Sequence, residues 1–155
     1  MKIVVDSNIV FSAILNSKSQ IGHILINGSK YFDFFSPGLL KNEIIKHKSK
    51  ILELTGYSQR EFTDIYQSIL NRIVFVDEIL LSDSEIEKAI DLVSGIDPDD
   101  AVFVALNNHL SANLWTGDKH LINGLKKKGY LRVLTTDNLS EIFLNKQLKS
   151  KQKGG

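Results

Sequence analysis

Apolar residues fall along this chain in two alternating patterns: short unbroken runs, and longer stretches with apolar positions three and four apart. Ile3-Val4-Val5 is the first run, and it stops at Asp6. An unbroken run of this kind reads as a strand buried on both faces, as in parallel sheets. Beyond Asp6-Ser7-Asn8, the residues Ile9, Val10, Ala13 and Ile14 recur at the spacing of one helical face. A second helix is expected around Ile21, Ile24 and Leu25, stopped by Asn27-Gly28. Tyr31 to Phe35 alternates as a short strand. Ser36-Pro37 then reads as an N-cap followed by proline at the first helical position, opening a helix with Leu39, Leu40, Glu43, Ile44 and His47.

Two capping boxes, Ser58-x-x-Glu61 and Ser82-x-x-Glu85, mark the next helices. Each precedes one apolar stripe: Phe62, Ile65, Tyr66, Ile69 and Leu70, then Ile86, Ala89, Ile90 and Val93. Ile73 to Val76 is the strand expected between them. After Asp97-Pro98, Ala101 to Leu106 is apolar nearly all round, which predicts a buried helix. Leu114-Trp115 then leads through Thr116-Gly117 to Asp118, a second apolar run closed by an acid. A helix near Leu121 to Lys127 should stop at Gly129, a strand should cover Leu131 to Leu134, and Asn138-x-x-Glu141 should begin a last helix through Leu144. The polar, basic residues 146–155 are expected to fray as a disordered tail, leaving residues 1–145 as one domain. Strand and helix signals that alternate in this way predict an α/β fold with a mainly parallel sheet.

The bulk properties narrow the class without naming a chemistry. The 155 residues suit one domain with a real core, and 43% hydrophobic with 24% charged residues is ordinary for a globular chain. Zero cysteines exclude disulfides and thiolate metal sites and agree with a reducing compartment. The first apolar run is too short for a signal peptide, and no stretch approaches the roughly 20 residues of a membrane span. A cytoplasmic location with no membrane partner is the expectation. A net charge of +1 says nothing for or against nucleic acid.

The acids at the strand ends carry more. Ligand sites in open parallel sheets lie just beyond the carboxyl ends of the strands, so Asp6 and Asp118 would sit side by side if their strands are neighbours. Asp97-Pro98-Asp99-Asp100 supplies a third acidic group at the start of a buried helix. Two carboxylates about 4 Å apart repel by roughly 4 kcal/mol at an effective dielectric near 20. A divalent cation with oxygen ligands turns that repulsion into coordination.

Val4-Val5-Asp6-Ser7-Asn8, Leu40-Lys41-Asn42-Glu43, Asp97-Pro98-Asp99-Asp100 with Ala105 downstream, and Thr116-Gly117-Asp118 together resemble the four motifs of PIN-domain nucleases. The likeness is greatest to the toxin-like PIN proteins related to the VapC ribonuclease toxins, and it covers residues 1 to about 145. Each motif alone is weak, but four in this order at these spacings are specific. The resemblance implies a Rossmann-like, three-layer α/β/α fold and hydrolysis of RNA with Mg²⁺ or Mn²⁺. It implies Asp6, Glu43, Asp100 and Asp118 as the catalytic, metal-binding acids. It also implies an antitoxin partner and a homodimer. Two departures stand out: three aspartates where many relatives have one, and the lysine-rich tail.

Simpler roles compete for the same residues. Asp97 before Pro98 suits a helix N-cap, with Asp100 in the matching box position. Asp6 or Asp118 alone could end a strand and start a turn. A mid-helix Glu43 is ordinarily a solvated surface residue. Ser7, Asn8 and Thr116 suit caps of adjacent turns, or supports that orient carboxylates and metal-bound water. His23, His47, His109 and His120 lack ligand spacing and read as surface or satisfied histidines, and Trp115 reads as sheet core. A haloacid-dehalogenase-like phosphatase also starts with a strand ending in aspartate, but needs an acid/base aspartate two residues on, where this chain has Asn8. A noncatalytic RNA-binding or interaction module is the third reading, and four filled acidic positions argue against it.

Overall fold

The central apolar runs pair where both their faces are covered. In the computed structural model, which describes residues 1–154, Ile3-Val4-Val5 forms the central strand β1 (Lys2–Val5). It is flanked by β2 (Asp33–Pro37) and β4 (Asn113–Trp115), with β3 (Ile73–Val76) and β5 (Val133–Leu134) outside them. The order β3-β2-β1-β4-β5 is parallel at each pairing. The helices are α1 (Ser7–Leu15), α2 (Gln20–Asn27), α3 (Leu39–Lys46), α4 (Lys48–Thr55), α5 (Gln59–Leu70), α6 (Asp83–Leu92), α7 (Ala101–His109), α8 (Lys119–Lys127) and α9 (Thr136–Gly154). This is the α/β fold with a parallel sheet expected from the alternation, in the three-layer α/β/α form that the PIN-domain resemblance implies.

Successive side chains of a strand point to opposite faces, so β1 feeds two cores. Ile3 and Val5 join Phe34 and Trp115 beneath α1, α2, α5 and α9. Val4 joins Leu114 and Val133 beneath α6, α7 and α8. Removing each fully buried aliphatic side chain from water contributes roughly 1.5–3 kcal/mol. Trp115 is wholly buried against Phe34, and its indole N–H donates to Thr136 Oγ1 at 3.0 Å. No single described helix is long and apolar enough to cross a membrane.

Several local expectations are met. Both the Ser58 and Ser82 capping boxes are closed in both directions. Gly129 ends α8 with φ +82°, a conformation glycine adopts without steric cost. Others need correction. Ser36 and Pro37 do not open a helix; they end β2, where the buried Ser36 hydroxyl donates to the Val5 carbonyl at 3.0 Å. The start of α3 is capped from elsewhere, by the Glu78 carboxylate on the Leu39 N–H. The last helix opens two residues before Asn138, closed by reciprocal Thr135–Asn138 bonds of 3.0 and 3.1 Å. Residues 147–154 do not fray: α9 runs unbroken to Gly154, and Gly155 lies outside the described residues. Its early turns are anchored by Leu139 and Phe143, and the lysine-rich turns continue a helix already nucleated.

The chain leaves β1 towards β2 on one side and comes back to β4 on the other. The crevice at this reversal, outside the carboxyl ends of β1 and β4, is where open α/β sheets bind ligands.

Candidate active site

Asp6 and Asp118 both lie at that reversal. Val5 is in register with Trp115, and the Asp6 N–H extends the ladder by donating to the Trp115 carbonyl at 3.0 Å. The Asp6 side chain is 2% exposed and every face of it is held. Oδ1 accepts from the Ser7 N–H at 2.8 Å. Oδ2 accepts from the Thr116 hydroxyl at 2.7 Å and from Asn8 Nδ2 at 3.2 Å. Asn8 also accepts from the Gly117 N–H at 3.1 Å through its own Oδ1, and the Asp118 N–H donates to Thr116 Oγ1 at 3.1 Å. Ser7, Asn8 and Thr116 thus stitch the end of β1 to the end of β4 and fix the Asp6 carboxylate between them. Burial raises the Asp6 pKa, the Thr116 and Ser7 bonds hold it back, and the Asp118 charge pushes it up again.

Asp118 is a helix cap as well as a site acid. Its Oδ1 accepts from the N–H groups of His120 at 2.9 Å and Leu121 at 3.2 Å, at the start of α8. Those bonds engage Oδ1 alone.

Asp97 is the cap its sequence context predicts, accepting from the Asp99 N–H at 2.9 Å. Pro98, however, opens a 3₁₀ turn through Asp100, and α7 begins only at Ala101. The expected return bond from Asp100 is not made, so Asp100 is no capping-box partner. Its Oδ2 is buried without a hydrogen-bond partner. Burial, then the charges of Asp6, Asp97, Asp118 and Asp99, push the Asp100 pKa up to about 7.

Glu43 is half-buried on α3 and faces the same cluster. Burial raises its pKa first, then the charge of Asp99, then that of Asp6, while His47 and Lys46 act in the other direction. Asp99, exposed at the turn, is therefore the strongest charged neighbour of Glu43, a proximity that spacing alone did not reveal. Among the described residues, no three Asp, Glu or His side chains converge closely enough to hold one ion together. The four acids share one electrostatic neighbourhood and stop short of a closed ligand cage. The histidines lie elsewhere in role: His109 bonds Glu85 at 2.8 Å, His23 stacks on Phe143 and His47 meets the edge of Phe11.

A clamp behind the site fixes the approach to Asp97. Lys128, just past α8, donates from Nζ to the carbonyls of Asp91, Leu92 and Ser94 at 3.1, 2.9 and 2.6 Å. Gly124 of α8 lies so close to Ile96 that a Cβ there would collide with the isoleucine side chain.

With this geometry in place, the comparisons are decisive on family. The sequence profile of the PIN domain matches residues 4–143. The chain belongs to the PIN-domain family. PIN domains are nucleases that generally use divalent metal ions. Two solved structures share the fold. One is VapBC2 from Rickettsia felis, bound to a DNA fragment from its promoter: 15% identity, TM-score 0.63, covering 87% of this chain and 97% of that one. The other is PAE2754 from Pyrobaculum aerophilum: 15% identity, TM-score 0.57, covering 94% and 99%. Among curated proteins none matches the sequence.

Proposed function

We propose that this PIN domain is an endoribonuclease that cuts RNA phosphodiesters with Mg²⁺ or Mn²⁺, and that it is the toxin of a toxin–antitoxin pair. The observation that carries the reading is the Asp100 carboxylate, with one oxygen buried and unpartnered among the charges of Asp6 and Asp118. An orphaned acceptor amid like charges calls for a cation, and an all-oxygen donor set suits a hard one. Asp6, Asp100, Asp118 and Glu43 would hold one or two such ions, some directly and some through water.

A bound divalent ion supplies charge neutralisation at the phosphate and a hydroxide-like nucleophile at neutral pH. The chain's own residues prepare for this in distinct ways. Thr116 and Asn8 hold Asp6 in one orientation, so its position is fixed before substrate arrives. Asp118 is anchored through Oδ1 at the start of α8, leaving its other oxygen for the crevice. Asp100, whose pKa burial and its acidic neighbours push up to about 7, would be held in its charged form by a cation bound beside it. Glu43 closes the site from α3, with Asp99 beside it.

The toxin assignment rests on the fold shared with the Rickettsia felis VapBC2 structure, in which promoter DNA is bound. We extend from it an antitoxin that covers the acidic crevice, and a homodimer. Purified protein should cut a mixed RNA pool with Mg²⁺ or Mn²⁺ and stop with EDTA; cleavage surviving EDTA would sink the mechanism. Hydrolysis of p-nitrophenyl phosphate with RNA spared would favour the phosphatase reading. Expression of the chain alone should slow growth and coexpression of the neighbouring gene should restore it. Equal harmlessness of wild type and Asp6→Asn would remove the toxin reading.

A further inference from the structure

Across the Thr116–Asp118 turn from the acidic cluster lies a cavity of about 260 Å³, between the starts of α8 and α9. Thr116 and Gly117 form the wall it shares with the cluster, so Thr116 bonds Asp6 and lines the cavity. The polar groups on its other walls are mainly donors. The Lys119 ammonium has no ion-pair partner among the described residues. Thr135 Oγ1 accepts from the Asn138 N–H and Thr136 Oγ1 accepts from the Trp115 indole, both at 3.0 Å, and neither hydroxyl proton has a protein acceptor. Asp137 is the one carboxylate, and Ile122 supplies the apolar surface.

The shared wall is low. Gly117 is exposed, and a Cβ there would meet nothing closer than Asn8 Oδ1 at 3.6 Å, an ordinary contact. Its φ is not in the left-handed region. Neither packing nor backbone conformation requires glycine at 117; the missing side chain opens a passage from the carboxylates into the cavity.

We propose that this cavity seats the ribonucleotide adjoining the scissile phosphodiester, an inference that rests on the ribonuclease reading above. Lys119 and the hydroxyls of Thr135 and Thr136 bind its phosphate, and Asp137 accepts from the ribose 2′-hydroxyl. Two hydroxyl donors and one ammonium lining the same cavity suit a phosphate's oxygens. A lone carboxylate next to them suits the hydroxyl that distinguishes RNA from DNA. The Lys119 ammonium in the lining argues against a second cation site.

The test uses the full chain in EDTA with a fluorescein-labelled single-stranded RNA of about eight nucleotides, within the span of one such groove. Lys119→Gln should weaken binding and lower the slope of log affinity against log salt by about 1, the signature of one lost phosphate contact. Lys119→Glu should weaken it about tenfold or more and raise KM for cleavage with kcat nearly unchanged. Lys88→Glu, on α6, should change neither. Asp137→Asn should reduce binding of the RNA and leave that of the matching DNA. A Lys119→Gln protein with the wild-type salt slope and affinity, while wild type still cuts RNA, overturns the cavity assignment alone. Equal loss of RNA and DNA binding in Asp137→Asn overturns the sugar contact. Wild type that neither binds nor cuts RNA with either ion overturns the ribonuclease reading itself.

Discussion

The ends of β1 and the start of α7 present the same functional group in opposite conditions. Asp6 is buried more deeply than Asp100, yet it receives three hydrogen bonds, from Ser7, Thr116 and Asn8. Asp100 is partly open and has an oxygen with no partner. Burial raises both pKa values, but only at Asp6 do hydrogen bonds to the charged form act against it. The difference teaches that the site is built on one fixed carboxylate and one strained by its surroundings. In the mechanism we propose, orientation resides at the strand end and the drive to bind a cation at the helix start.

The largest test removes either charge. Asp6→Asn and Asp100→Asn should each lower metal-dependent RNA cleavage by about a thousandfold or more, with circular dichroism unchanged. If one variant keeps wild-type turnover, that carboxylate is no ligand and the pairing of roles fails. Next in size is the support beneath Asp6. Thr116→Val keeps the shape and deletes the hydroxyl that bonds Asp6, and should weaken activating Mg²⁺ by about 10- to 100-fold in a titration of cleavage rate. No equivalent support exists at Asp100 to remove.

A stability measurement sharpens the contrast further. An acid whose folded pKa is raised stabilises the fold below its unfolded value and loses that contribution as pH rises through the folded value. For Asp100 the window runs from the unfolded 3.8 to about 7. Metal-free protein should therefore melt higher near pH 5 than near pH 8. Asp100→Asn should flatten that difference and raise the pH 8 melting temperature by about 4 °C, for roughly 1–2 kcal/mol after discounting for solvent screening. Calorimetry across pH checks it; an unchanged pH slope would show that Asp100 is not strained. Smallest of all is Asp97→Asn, since asparagine caps about as well as aspartate. Activity and melting temperature should both stay near wild type.

Much of this was legible in the chain because the signals are local. Unbroken apolar runs marked β1, β3 and β4, and serine–glutamate spacing marked α5 and α6 before any tertiary contact was known. The acids at 6 and 118 could be placed by the strand-end rule, which depends only on strand polarity and order. What escaped was decided across distance. Ser36-Pro37 carries a strong local helix-start signal, yet the Ser36 hydroxyl is taken by Val5 of the neighbouring strand and the helix cap comes from Glu78, thirty-nine residues beyond Leu39. The 3₁₀ turn at Pro98 changed how Asp99 and Asp100 project, because three residues rather than 3.6 make a turn. Asp99 next to Glu43 depends on how α3 faces that turn, which no spacing within either segment encodes.

Helix α8 joins two of the acids mechanically. Asp118 caps its first turn; six residues on, Gly124 abuts Ile96, and beyond its last turn Lys128 grips the carbonyls at 91, 92 and 94. Asp118 and the segment leading to Asp97 and Asp100 are therefore tied to opposite ends of one helix. A methyl group added at Gly124 would displace Ile96 and disturb the segment that leads to Asp97 and Asp100, although position 124 bears no charge and lies outside the crevice.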